Sequence, residues 1–232
     1  MPNHGTVLIA GAGIGGLALG DTPLRYAGYT SWRGVAPVGR LSPAHEAIEL
    51  WGRGLRFGIV PIADDETYWF AVANAPAGET DAERATQLER FASFGEPARA
   101  LLEATPAERI LRTDIHDRAP VPTWSKGRVA LLGDAAHPTT PNLGQGGCMA
   151  IEDAVVLAHG LGKHSTLADA LRAYERKRVA HTSKIVTASW QFGRLAQLEG
   201  SFTTWLRDFA LRVTPESQVR ARLRENAQFS LD

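Results

Sequence analysis

Hydrophobic and polar positions alternate with two different periods along this chain. Val7 to Ala10 is a short aliphatic run that ends in glycines, which predicts a buried strand leading into a turn. From Leu24 to Pro76 the apolar residues are β-branched and aromatic. Strands are predicted over Tyr26–Ala36, Glu46–Trp51, Leu55–Ile62 and Thr67–Val72, with Ala63 to Glu66 as a hairpin turn. Connections this short suit hairpins, so the pairing is antiparallel. The period then lengthens. Ala85, Leu88, Phe91 and Ala92 mark a helix over Asp81–Phe94, and a second covers Ala98–Ala104. Strands over Ile110–Ile115 and Val129–Leu132 flank a break at Pro120 and Pro122. Helices follow over Met149–Gly160 and from about Leu167 to Leu198. A short one over Leu206–Val213 precedes a polar end from Glu216.

Two glycine-rich turns stand out against this background. Gly11-Ala-Gly13-Ile-Gly15-Gly16 follows the first strand and opens into Leu17-Ala-Leu19, the order of a dinucleotide-binding turn. The acid expected about 20 residues further on, where it would hold a ribose, is absent: that window reads Thr30 to Ala36. Such an acid is worth about 1.5–3 kcal/mol, or roughly 10- to 150-fold in affinity. The second turn is longer. After the strand ending at Leu132 come Gly133-Asp134, then two prolines and Gly144, Gln145, Gly146, Gly147 and Cys148, then a helix. Glycines let backbone N–H groups approach a ligand, and the helix directs its positive end at it. A carboxylate at the strand's end beside such a loop marks a ligand site in open α/β sheets. The fold class is therefore α/β with α+β elements: a partial Rossmann-like part, an antiparallel sheet and C-terminal helices.

Composition narrows the function without choosing it. The 232 residues are 44% hydrophobic and 22% charged, with a formal net charge of zero. An ordinary core is expected, and no electrostatic reason for nucleic acid or an anionic membrane. No apolar run approaches the roughly 18 residues of a membrane helix. The apolar N-terminal segment lacks a basic flank and makes a poor signal peptide. With one cysteine, Cys148, no internal disulfide is available, and a soluble cytoplasmic protein is the expectation.

With both glycine turns in view, the chain resembles the single-component FAD-dependent aromatic-ring (group A) monooxygenases, closest in wording to the FAD-dependent urate hydroxylases and salicylate-hydroxylase-like enzymes. The residues that carry the resemblance are GAGIGG (Gly11–Gly16) and GDAAHPTTPNLGQGGCMAIEDA (Gly133–Ala154), joined by YAGYTSWRG (Tyr26–Gly34) and RFGIVPIADDETYWF (Arg56–Phe70). The resemblance implies FAD as cofactor, NAD(P)H as co-substrate, O2, and hydroxylation of a small aromatic or purine-like substrate. It implies that Gly11, Gly13 and Gly16 cradle the pyrophosphate, that Asp134 bonds the ribityl chain, and that Gly144 to Cys148 line the pyrimidine edge of the flavin. It places Arg56 and Tyr68 in the substrate pocket as the catalytic pair; from the residues alone they are an arginine and a tyrosine on two strands of one hairpin. Their sharing a face depends on register. Residues 1–20 and 105–232 would form the FAD-binding part, and 21–104 the substrate-side sheet.

The resemblance also shows a break. In the family, further Rossmann-type strands separate the fingerprint helix from the Tyr26–Gly34 segment, whereas here Leu19-Gly20 runs into Asp21-Thr22-Pro23. This reads as an internal deletion after Gly20. It keeps a second function open: a shortened, catalytically weak or inactive fragment that binds FAD poorly. A third, an NAD(P)-dependent reductase, rests on the GxGxxG alone.

Other residues have ordinary readings. His137 suits a loop-positioning hydrogen bond better than acid–base chemistry. Asp114, His116 and Asp117 lack further ligands at metal spacing and read as surface or strand-end groups. The cluster Arg176-Lys177-Arg178 reads as a solvated helix face. No G-x-S-x-G supports a hydrolase.

Overall fold

A computed structural model describes residues 8–10, 22–39, 41, 46–80, 84–215, 217–218, 221 and 229. The chain forms two compact units, one from residues 1–27, 116–193 and 213–232, the other from 28–115 and 194–212.

The first unit is built on a three-stranded sheet. Its strands are β1 (Leu8–Ala10), β7 (Ser125–Lys126) and, between them, β8 (Val129–Leu131). β1 lies parallel to β8, with Leu8 opposite Val129 and Ala10 opposite Leu131. Among the described residues the strand predicted at the N-terminus thus has one neighbour, drawn from more than a hundred residues away in sequence. β7 closes a tight antiparallel hairpin on the other edge. Helices α3 (Gly146–Lys163) and α4 (Leu167–Ala196) pack their apolar stripes on this sheet. The core gathers Trp124, Ala130, Leu131, Val156, Leu157, Leu171 and Tyr174. Within it the Tyr174 hydroxyl donates to Leu131 O at 3.0 Å. Glu175 accepts from the N–H groups of Trp124 and Ser125, both at 2.7 Å, which anchors the hairpin to α4.

The second unit holds a five-stranded sheet in the order β3-β4-β5-β2-β6. Its strands are β2 (Leu24–Ala36, which enters this unit at Gly28), β3 (Ile48–Trp51), β4 (Leu55–Pro61), β5 (Thr67–Asn74) and β6 (Leu111–Arg118, which leaves it after Ile115). The hairpins β3–β4 and β4–β5 are antiparallel, and β5 then pairs antiparallel with β2. Period-two alternation gives the sheet two distinct faces. One face carries Trp32, Phe57, Ile59, Trp69 and Ala71, and packs on helices α1 (Arg84–Arg90) and α2 (Glu96–Ala104) through Phe91, Leu101 and Leu102. Phe57 and Trp69 stack at 5.7 Å, and the buried indole N–H of Trp69 donates to Thr105 Oγ1 at 2.8 Å. Trp32, Phe57 and Trp69 are core packing, as their type suggests. The opposite face carries Arg56 and Tyr68. Helix α5 (Ser201–Val213) buries Thr204 and Arg207 and exposes Phe202, Trp205 and Phe209.

Among the described residues no helix is long and apolar enough to cross a membrane.

Candidate functional site

The long glycine turn of the first unit is shaped by one buried carboxylate. β8 runs out at Leu131, and the chain makes a short 3-10 turn over Gly133–Ala135. Gly133 has φ +60, and a side chain there would meet Ala150 Cβ at 3.1 Å, so both backbone and space require glycine. Asp153, from the second turn of α3, is 0% exposed and accepts three hydrogen bonds. They come from Gly133 N at 3.0 Å, from His137 Nε2 at 2.6 Å and from Arg178 Nε at 2.6 Å. Burial works against the charged carboxylate, but the His137 bond and charge, Arg178 and the Gly133 N–H outweigh it and hold Asp153 below the usual carboxylate range. Arg178 also donates to Met149 O at 3.2 Å and pairs with Glu152 at 2.8 Å.

The rest of the loop is tied to α4. Ser189 Oγ donates to Thr140 O at 2.7 Å, and Asn142 Nδ2 reaches Thr140 Oγ1 and Ser189 O, both at 2.9 Å. What this frame presents is Asp134, exposed at the strand's end, and the start of α3. The first intrahelical bond runs from Met149 N to Gln145 O at 2.9 Å, and Gln145 provides no side-chain cap. The N–H groups of Gly146, Gly147 and Cys148 therefore precede the helical ladder. Among the described residues, and apart from its own helix, nothing lies within 4 Å of where a Gly147 Cβ would stand. An open row of N–H donors, a helix N-terminus and a nearby exposed carboxylate form a donor set suited to a polar ring edge and a hydroxylated chain. That chemistry fits the pyrimidine and ribityl parts of FAD. Gly11, Gly13 and Gly16 lie outside the described residues.

In the second unit, register answers the question left open by the sequence. Arg56 lies opposite Val72 and Tyr68 opposite Val60, so both side chains leave the same face. They stand four residues apart along the hairpin, about 13 Å, and do not meet. Arg56 is 3% exposed and held from several sides. It donates to Gln197 Oε1 at 2.8 Å and to Glu49 Oε1 at 3.2 Å, and lies 5.6 Å from the Tyr29 ring centroid. Burial lowers its pKa, while Glu49 and Tyr29 act in the opposite sense. Tyr68 is half-buried; desolvation raises its pKa and Arg33 opposes the rise.

Several of these residues carried no signal, or a misleading one. Arg178 sits in a basic run that reads as solvated, yet it is 2% exposed. Leu171, Tyr174 and Arg178 recur at i, i+3 and i+7, the inward stripe of α4, and α3 supplies the counter-charge. Asp117 is likewise buried, not a surface group: Arg25 grips both its oxygens, at 2.9 and 2.7 Å. Asp114 is taken up by Thr30, Gly78 N and Arg112. Glu49, Gln197 and Asp153 reach their partners from distant sequence or another strand, so spacing does not reveal them.

Strand, glycine turn and helix with a carboxylate at the strand's end make this a ligand-binding turn of the open α/β class. A family model described as FAD binding domain matches residues 38–189, and the chain belongs to that family. It is 48% identical over 208 residues to the aurachin C monooxygenase/isomerase of Stigmatella aurantiaca, covering 89% of this chain and 54% of that protein. It is 39% identical over 173 residues to an FAD-dependent urate hydroxylase of Klebsiella pneumoniae, covering 72% of this chain and 45% of the other. The crystal structure of Klebsiella pneumoniae HpxO complexed with FAD and uric acid matches with a TM-score of 0.86 at 30% identity, over 96% of this chain and 59% of that one. The α/β fold with its antiparallel sheet and C-terminal helices is thus that of the family. The chain spans about half the length of the curated relatives it matches.

Proposed function

We propose that this chain serves an FAD-dependent monooxygenase reaction in which a small aromatic or purine-like substrate is hydroxylated at the expense of NAD(P)H and O2. The observation that carries the reading is the open start of α3 beside Asp134, held in place by the buried Asp153. The chemistry that FAD supplies when bound is acceptance of hydride from NAD(P)H and activation of O2. Asp134 would accept hydrogen bonds from the ribityl hydroxyls. The N–H groups of Gly146, Gly147 and Cys148, with the loop at Gly144 and Gln145, would line the pyrimidine edge and favour negative charge there. Gly11, Gly13 and Gly16 are proposed to cradle the pyrophosphate. Residues 1–20 and 105–232 would serve the cofactor and residues 21–104 the substrate.

Tyr68 would contact the substrate from the open sheet face. Arg56, enclosed by Glu49 and Gln197, would shape that face and orient what binds on it. A reducing cytoplasmic setting fits the single free cysteine. Purification with added FAD should yield near-stoichiometric flavin and NAD(P)H oxidation stimulated by a planar aromatic. A preparation with neither a flavin spectrum nor such oxidation would overturn the reading.

The chain's reach over only about half of its relatives, with no acid in the Thr30–Ala36 window, motivates a second reading: a shortened member that binds FAD weakly. Flavin that survives gel filtration excludes it; flavin that dissociates supports it.

A further inference from the structure

The sheet face of Arg56 and Tyr68 carries a second guanidinium, and the two differ in what they meet. Arg56 is surrounded by Glu49, Gln197 and Tyr29, which counter its charge and occupy its donors. Arg33 leaves the same face from β2. Val35 lies opposite Tyr68 and Arg33 opposite Phe70, so Arg33 and Tyr68 are diagonal neighbours about 7–8 Å apart, within reach of long side chains. Arg33 is half-buried, and its one recorded side-chain bond is long, to Ser31 Oγ at 3.4 Å. Among the described residues it makes no ion pair. Most of the N–H donors of a guanidinium are therefore available to a ligand.

The surroundings keep Tyr68 a hydroxyl donor. Burial raises its pKa and Arg33 only partly offsets this, so the O–H stays protonated near neutral pH. The Phe70 ring lies 6.3 Å from that of Tyr68 and adds an apolar flank. The remaining titratable groups of this face, Glu49, Arg56 and Tyr29, are engaged with one another. β6 turns Arg112 and Asp114 to the opposite face, where they meet Trp32 and Thr30.

We propose that Arg33 and Tyr68 together form an oxyanion-binding pair that takes an acidic oxygen on a planar aromatic ligand, which makes Arg33, not Arg56, the residue that recognises ligand charge. The pair combines a charge-assisted donor with a neutral one, the arrangement that favours an anionic oxygen over its protonated form. An enclosed cation such as Arg56 offers an incoming anion little, because Glu49 already supplies its counter-charge. The inference rests on the reading that this face receives the aromatic substrate of a flavin monooxygenase.

The test uses 4-nitrophenol, whose phenolate absorbs in the visible while the phenol does not, titrated against the FAD-supplemented chain by difference absorbance and calorimetry. The bound probe should lose its proton about one pH unit lower than the free probe. Its methyl ether, 4-nitroanisole, should bind at least about tenfold more weakly. Arg33→Gln should abolish the shift and the preference, and Arg33→Lys should restore part of both, with the thermal midpoint of each variant confirming that it is folded. An Arg33→Gln variant that keeps the shift overturns the proposal, as does equal binding of the methyl ether, or no binding of the probe to the wild-type chain. Flavin retained through gel filtration, measured on the same samples, reports separately on the monooxygenase reading: a probe shift without flavin leaves the role of Arg33 standing and removes the redox function.

Discussion

Each unit of this molecule encloses an arginine against a carboxylate, and the two pairs are built for different ends. In the first unit Arg178 and Asp153 are 2% and 0% exposed, and Asp153 also holds His137 and the Gly133 N–H. Every partner is protein, and the product is a fixed backbone turn. In the second unit Arg56 is 3% exposed but its carboxylate partner Glu49 is 30% exposed, at a sheet face open enough to leave Tyr68 and Arg33 half-buried. A closed pair positions a loop. A pair open on one side shapes a surface that water still reaches. The difference follows from desolvation: a fully buried ion needs its whole complement of hydrogen bonds from the protein, whereas a partly exposed one shares them with water.

The largest effect should follow from removing the centre of the closed pair. Asp153→Ala leaves a buried guanidinium and releases Gly133 and His137, and should cost about 3–5 kcal/mol, with FAD retention lost alongside. A loss below about 1 kcal/mol in urea unfolding would put the pair with ordinary surface ion pairs. Its pH dependence is signed. Asp153 sits below the ordinary carboxylate value, so its contribution is complete above the unfolded value and drains as pH falls through the folded one. The stability gap between wild type and Asp153→Asn should be full above about pH 5 and shrink below about pH 4. A gap that widens in acid would contradict the assignment.

The open pair should yield less. Arg56→Met strips Gln197 and Glu49 of a donor, but Glu49 can turn toward water, so the expected loss is about 2 kcal/mol, read by the same urea midpoints. A loss as large as that of Asp153→Ala would mean the two pairs are alike.

The smallest effect on folding should come from Gly147→Ala. Open space surrounds that position, and alanine is the better helix former by up to about 1 kcal/mol. Stability should hold or rise slightly, while FAD affinity falls if the flavin edge approaches this backbone. Unchanged affinity would show that the cofactor does not come close to Gly147.

Much of this was legible in the chain because it is local. The predicted strand over Tyr26–Ala36 is β2 to within two residues at one end, and Thr67–Val72 lies inside β5. The helix after the second glycine turn begins at Gly146, three residues before its apolar stripe, because glycines at a helix start interrupt the pattern but not the geometry. Asp134 and the Gly144–Cys148 turn belong to a strand's end, its loop and the start of a following helix, all within some twenty residues.

Other features depended on contacts that no window of sequence contains. Arg178 looks solvated in its own helix and becomes the buried partner of Asp153 only because α3 and α4 pack on the same sheet. Arg56 and Tyr68 share a face through the register of one hairpin, where a slip of a single residue would have parted them. The separate pairing of β2 with β5 puts Arg33 beside Tyr68, while Glu49 and Gln197 close around Arg56. Periodicity and turn chemistry act over a few residues and set strand, turn and helix. The choice of which charge is enclosed and which stays partly open is made by desolvation in the packed molecule, where residues far apart along the chain become neighbours.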